Sequence, residues 1–254
     1  MADSVRTQGL FKRFGQQVAV AGVDLVVPRG SFAGLVGPNG AGKTTTLSMI
    51  TGLLRPDGGL IEVDGVNVWR DPALVKSRIG VLPEGLRLYE RLSGRELLHY
   101  NGQLRGIPEA EVERRAEELL KVMDLVESAD KLVVDYSTGM RKKIGLAAAL
   151  LHNPSVLFID EPFEGVDPVS ANSLEEVLRR FTGSGSTVIF SSHVMDLVER
   201  LCSWVSVMSR GQIVAQGPLD EVCGGRKLNQ AFLDLVGVRG NGEEGLTWLG
   251  TAKQ

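Results

Sequence analysis

The sequence predicts an α/β fold: a mostly parallel buried sheet alternating with helices, to which an antiparallel β subdomain and a helical insert are attached. Three observations carry this expectation. Short uninterrupted apolar runs at residues 32–36, 156–159, 187–190 and 205–208 are too short for buried helices and suit strands covered on both faces. Segments of helical periodicity separate them. Residues 93–151 break the alternation with three consecutive helical patterns, which marks an insert in the α/β core.

Taken in chain order, residues 4–27 are rich in β-formers and punctuated by Gly15, Gly22 and the Pro28-Arg29-Gly30 turn, the corners of an antiparallel sheet. A second such patch spans 60–68. In the insert, Ser93 and Glu96 form a capping box that opens one helix. Pro108 opens another, with Val112, Ala116, Leu119, Leu120 and Met123 on one face, and a third follows Gly139. A further helix begins at Asp167-Pro168, a cap-type residue with proline at the first helical position, and repeats apolar residues at Leu174, Val177, Leu178 and Phe181. The expected division is a core of 1–83 and 152–225, an insert of about 84–151 and a tail of 226–254. That tail has one apolar segment at 231–236 and a Gly-rich stretch at 237–245, expected to be partly mobile.

Composition narrows the class. A chain of 254 residues with 43% hydrophobic and 23% charged residues is globular rather than fibrous or disordered. A net charge of −3 gives no basic footprint for a phosphate backbone, so nucleic acid is not an expected partner. Cys202 and Cys223 fit neither a disulfide framework nor a metal cluster, and free thiols point to a reducing compartment. Residues 1–15 carry charges and no apolar signal-type core, which points to a cytoplasmic protein. The longest apolar stretch, 144–151, falls far short of the roughly 20 residues that cross a bilayer as a helix. Any membrane role then comes through a partner.

The chemistry is concentrated at three predicted strand ends. Gly37-Pro38-Asn39-Gly40-Ala41-Gly42-Lys43-Thr44 matches a P-loop in full, directly after one strand and directly before the helix pattern that Thr45 opens. Glycines let backbone N–H groups curl round phosphates, the helix N-terminus adds partial positive charge, Lys43 reaches the β and γ phosphates, and Thr44 offers a hydroxyl to Mg²⁺. A second strand ends in Asp160 and Glu161. Asp160 suits Mg²⁺ binding through its water shell and Glu161 suits general-base activation of water, although such a pair also fits an ordinary strand end. A third ends in Ser191-Ser192-His193, bringing an imidazole to the same sheet edge, within reach of a γ phosphate. His99 and His152 lack such a setting and read as helix-surface or core residues.

Three such ends on one phosphate site specify a P-loop NTPase, and Tyr136-Ser137-Thr138-Gly139-Met140 decides which. The chain resembles the ATP-binding cassette family across nearly its whole length. Ser137 and Gly139 match that family's LSGGQ signature, 23 residues ahead of Asp160, with Met140 where glutamine is usual. Phe14 stands at the adenine-stacking position, Gly165-Val166-Asp167 at the D-loop and His193 at the switch histidine. The resemblance implies a RecA-like core, ATP and Mg²⁺ as cofactors, and ATPase activity. It also implies a head-to-tail homodimer that sandwiches two ATP, each between one copy's P-loop and the other's Ser137 and Gly139. A separate integral membrane permease then holds the dimer at the inner face of the membrane. The Tyr-Ser-x-Gly-Met form looks like subunits of export-type transporters. The alternative is a soluble member of the family acting on DNA or ribosomes, which usually has two cassettes, a long coiled coil or a basic surface.

One departure stands out. Where the family has a Q-loop glutamine, this chain has Glu84, after Ile79-Gly80-Val81-Leu82-Pro83. A carboxylate still ligates Mg²⁺ but donates no N–H and repels γ phosphate when metal is absent, which implies a stronger Mg²⁺ dependence. A solvated loop acid is the other reading of Glu84. Leu86, Leu88, Tyr89 and Leu92 are expected apolar contacts for a permease. Arg141, Lys142 and Lys143 oppose the dipole of the helix they begin, and read either as phosphate ligands or as solvated charges.

Overall fold

Strand-forming runs near the N-terminus build an antiparallel layer. The computed structural model describes residues 3–237. Strands β1 (Asp3–Phe14), β2 (Gln17–Val23) and β3 (Val26–Pro28) lead into β4 (Phe32–Val36), the P-loop and helix α1 (Lys43–Ile50). Strands β5 (Gly58–Val63) and β6 (Val66–Asn67), helix α2 (Pro72–Arg78) and strand β7 (Ile79–Leu82) follow. The insert contains α3 (Gly94–Leu104), α4 (Glu109–Val122) and α5 (Thr138–Leu150). The chain returns through β8 (Val156–Asp160), α6 (Pro168–Gly183), β9 (Thr187–Ser192), α7 (Met195–Leu201), β10 (Trp204–Ser209) and β11 (Gln212–Pro218). Helices α8 (Leu219–Cys223) and α9 (Leu228–Val236) complete it.

Two sheets result. In one, β2, β1, β5 and β6 are neighbours in that order and β3 also pairs with β1, all antiparallel. The other has the order β11-β10-β4-β9-β8-β7, parallel except for the β10–β11 pair. Its central strands alternate between two cores, as period-2 geometry requires. Val156 and Phe158 of β8 pack with the antiparallel layer and α1, while Leu157 and Ile159 pack with the insert and α6. Phe32 and Phe190, on the latter side, meet edge to face with centroids 5.6 Å apart. Truncating a ring buried like that of Phe190 costs about 3–5 kcal/mol.

The insert is built as its sequence predicts at α3, where Ser93 Oγ accepts from Glu96 N at 3.2 Å and Glu96 Oε2 accepts from Ser93 N at 2.8 Å. Val112, Ala116, Leu120 and Met123 are buried in the core, with Leu119 partly so. Three details differ from expectation. The third insert helix starts at Thr138, with Ser137 as its cap, so Gly139 lies inside its first turn. Strand β7 occupies the segment read only as the Q-loop approach; its Gly80 is obligatory because a Cβ there would lie 2.4 Å from Ala149 O. Strand β11 is half exposed at a sheet edge, so it lacks the continuous apolar run that marks its neighbours. The apolar tail segment forms α9, anchored by buried Leu228 and Ala231. Of the Gly-rich stretch at 237–245, residues 238–245 lie outside the described residues.

Candidate functional site

The turn between β4 and α1 admits glycine for two different reasons. At Gly37 a Cβ would lie 2.3 Å from Met208 O on β10. Gly42 has φ 104° and a Cβ there would lie 2.5 Å from Ala19 O on β2. The loop is therefore wedged between the two sheets. Helix α1 has no side-chain cap and no acidic residue in its first turn, which leaves its first N–H groups as donors for an anion. Lys43 Nζ lies at this mouth, donating to Gly37 O at 2.8 Å and Pro38 O at 3.4 Å.

A cavity of about 520 Å³ opens there, lined by Phe14, Gln17, Ala19, residues 39–45, Glu84, Glu161, Glu164 and His193. Phe14 is half exposed at its rim, and Lys12 Nζ lies 5.6 Å from its ring centroid. Lys12 is itself held by Arg55 O at 2.8 Å and Asp57 Oδ1 at 2.9 Å, which steadies an aromatic platform.

On the opposite wall, β8 ends with both carboxylates buried. Ser191 Oγ on β9 donates to Asp160 Oδ1 and accepts from Glu161 N at 3.1 Å. Glu161 sits at φ 45°, a left-handed conformation uncommon outside glycine. Its Oε1 is 3.1 Å from His193 Nδ1, and the imidazole is more open to solvent than the carboxylate.

The structure does not bring every expected residue to this cavity. Gly37 is buried beneath the loop and Pro38 lies outside the lining. Asp160 lines a neighbouring cavity of about 350 Å³ together with Glu84, Thr138, Lys142 and Glu164. Glu84 thus borders both spaces, the one that Thr44 lines and the one that Asp160 lines. Ser137, Gly139 and Asp167 line neither. Ser137 and Thr138 are exposed, and Ser137 Oγ accepts from Met140 N at 3.2 Å. Gly139 is packed against α6, where a Cβ would lie 2.8 Å from Ser170 Oγ and 3.0 Å from Asp167 Oδ2. Asp167 caps α6 by accepting from Ser170 N at 2.9 Å, and this bond holds its carboxyl below the usual range.

Of the three cations of α5, Arg141 Nη2 pairs with Glu90 Oε1 at 2.8 Å and Lys142 Nζ donates to Glu161 O at 2.6 Å, while Lys143 is buried. Gln17, Ala19 and Glu164 are lining residues that the sequence reading missed; the first two come from a separate strand with no motif to flag them. Glu164 had a signal, as it is three residues beyond Glu161. No cluster of three or more His, Cys, Asp or Glu side chains among the described residues could hold a metal alone. The available set is a hydroxyl, Thr44, and the carboxylates Asp160 and Glu84, hard donors suited to Mg²⁺ that takes its other ligands from phosphate and water.

Backbone donors and a lysine at one strand end, carboxylates at another and an imidazole at a third define a P-loop nucleoside-triphosphate-binding protein. The profile of the ABC transporter family matches residues 20–164. The linearmycin resistance ATP-binding protein LnrL of Bacillus subtilis (strain 168) is 36% identical over 86% of this chain and 70% of its own length. The daunorubicin resistance ATP-binding protein DrrA3 of Streptomyces coeruleorubidus is 41% identical over 87% and 71%. A solved ATP-binding subunit of an ABC transporter superposes with TM-score 0.84 at 31% identity, covering 91% of this chain and 98% of that one. An ATP-binding cassette in its ADP conformation gives 0.75 at 26% identity, over 92% and 99%. The chain belongs to the ABC transporter family, as an ATP-binding subunit with ATPase activity.

Proposed function

We propose that this chain hydrolyses ATP as half of a dimer and drives a separate export-type permease. The observation that carries the dimer is the placement of Ser137: this exposed cap of α5 lines neither cavity of its own chain, although Thr138 after it borders the neighbouring one, while the P-loop cavity, among the described residues, is lined by the N-terminus of α1 and not by that of α5. A second copy in head-to-tail arrangement supplies the missing N-terminus to each γ phosphate. ATP then holds the halves together, and hydrolysis removes the ligand that held them.

Within one site, Phe14 stacks on the base and residues 37–45 wrap the phosphates. Lys43 leaves its loop carbonyls for phosphate oxygens, and Glu161 takes a proton from the attacking water while His193 orients its carboxylate. Thr44, Asp160 and Glu84 are the residues that would hold Mg²⁺, which supplies charge neutralisation at the phosphates. In this reading the nucleotide-binding body comprises 1–83 and 152–225 and the arm toward the permease 84–151; of the expected tail 226–254, α9 packs on the core through Leu228 and Ala231, and residues 238–254 lie outside the described residues.

Among the described residues no helix is long and apolar enough to cross a membrane, in keeping with peripheral attachment from the cytoplasm. Of the four expected permease contacts Tyr89 is the most available: it is 56% exposed and stacks edge to face on Tyr100, whereas Leu86, Leu88 and Leu92 pack partly into the core. Relatives named for antibiotic resistance support export, and none named above supports action on DNA or ribosomes. Glu161→Gln tests the reading by light scattering and phosphate release. The expected result is a stable dimer in ATP with turnover reduced about 10²- to 10⁴-fold. Parental turnover, or a monomer in saturating ATP, would contradict it.

A further inference from the structure

Glu161 combines two features that need explanation together: it follows a buried strand, and its backbone is left-handed at φ 45°. Such a conformation in a residue with a Cβ persists where surrounding contacts determine it. Three side chains fix it here, beside a longer bond from Glu164 N to its carbonyl oxygen at 3.4 Å. Ser191 Oγ receives its N–H at 3.1 Å, His193 Nδ1 meets its side chain at 3.1 Å, and Lys142 Nζ donates to its carbonyl oxygen at 2.6 Å. The first two come from β9 and its exit, inside the core. The third comes from α5, in the insert.

Lys142 is not accounted for by the helix that carries it, because a cation near the start of α5 opposes the dipole. Burial also disfavours its charge, drawing its pKa down, while Glu164, Glu161 and Glu84 act in the opposite sense. Those three carboxylates line the P-loop cavity. The ammonium thus sits among the acidic groups of the hydrolytic wall, and its one short bond goes to the backbone of the general base.

We propose that Lys142 is a positioning residue for hydrolysis: it fastens the signature helix to the Glu161 carbonyl and so aims the Glu161 carboxylate at the attacking water. This rests on the general-base reading of Glu161. Movement of the insert then reaches the base through one side chain, without passing through bound nucleotide.

The test uses the full chain with Lys142→Met, Lys142→Gln and Lys142→Arg, each alone and with Glu161→Gln. Thermal midpoint and binding of a fluorescent ATP analogue are measured alongside steady-state and single-turnover hydrolysis. Lys142→Met and Lys142→Gln should lower kcat about 10- to 100-fold with KM for ATP changed less than about twofold, as expected for a misaimed catalytic group. Lys142→Arg, which keeps a cationic donor, should recover most of the rate. On the Glu161→Gln background, Lys142→Met should change the residual single-turnover rate by less than about twofold, since the group it aims is gone. An equal loss in both backgrounds, a raised KM with kcat intact, parental kcat, or loss of nucleotide binding in both truncations overturns the proposal. Parental turnover by Glu161→Gln alone overturns instead the reading on which it rests.

Discussion

Helices α1 and α5 begin alike and end up in different situations. Each has a glycine in its first turn or at its cap that a Cβ would drive into a neighbour, Gly42 against Ala19 and Gly139 against Ser170. Helix α1 has no side-chain cap and opens onto a cavity shared with Glu84, Glu161 and His193. Helix α5 is capped by Ser137, which is exposed and lines neither that cavity nor its neighbour, although Thr138, Arg141 and Lys142 border the neighbour. One N-terminus opens into the P-loop cavity of its own chain; the other does not. In the proposed dimer, a helix start serves binding in one place and association in the other.

The contrast is broken most directly by charge. Lys43→Ala should lower turnover at least about 100-fold and weaken nucleotide binding, since it removes a phosphate ligand. Ser137→Glu should lower turnover at least about tenfold by opposing γ phosphate across the dimer, yet leave nucleotide binding by the isolated chain unchanged. Equilibrium binding and phosphate release separate the two; weakened binding in Ser137→Glu would place α5 at its own chain's nucleotide.

A smaller effect concerns the joint between core and insert. His152 Nε2 meets Ile79 O at 2.9 Å, and burial, helped by the charges of Arg105 and Arg115, holds its pKa down at about 4. The unfolded chain protonates near pH 6.5 and the native chain only near 4, so stability falls as pH drops through that window. With discount for partial exposure the loss is about 1–2 kcal/mol. His152→Gln should flatten that slope in urea melts at pH 7, 6, 5 and 4; an unchanged slope assigns it to other groups. The smallest effect belongs to Glu84. Parent turnover should fall more steeply than that of Glu84→Gln as Mg²⁺ is withdrawn, and superimposable titrations would remove Glu84 from the metal site.

How far the site could be read from sequence follows the same division. The P-loop, Asp160-Glu161 and His193 were legible because each is a contiguous segment at the end of an apolar run. Strand β7 was not, because Gly80 and Pro83 look like loop residues until the close approach of Ala149 O explains the glycine. Gln17 reaches the cavity because β2 folds back at Gly15 to pair with β1 opposite Phe14; the turn was legible, but which strand face lines the cavity was not. Lys142 was visible as a cation misplaced on a helix dipole, but its target lies 19 residues further on and is a backbone atom, invisible to residue-type patterns.

The account's central claim is that one hydrolytic site is assembled from two copies, and mixing inactive variants tests it. Chains carrying Lys43→Ala lack the P-loop ligand and chains carrying Ser137→Glu lack the trans N-terminus, but a mixed dimer holds one site with both intact. A 1:1 mixture should therefore recover about a quarter of parental turnover, since half the dimers are mixed and each restores one of two sites. Activity no greater than the mean of the two variants measured separately would contradict the account.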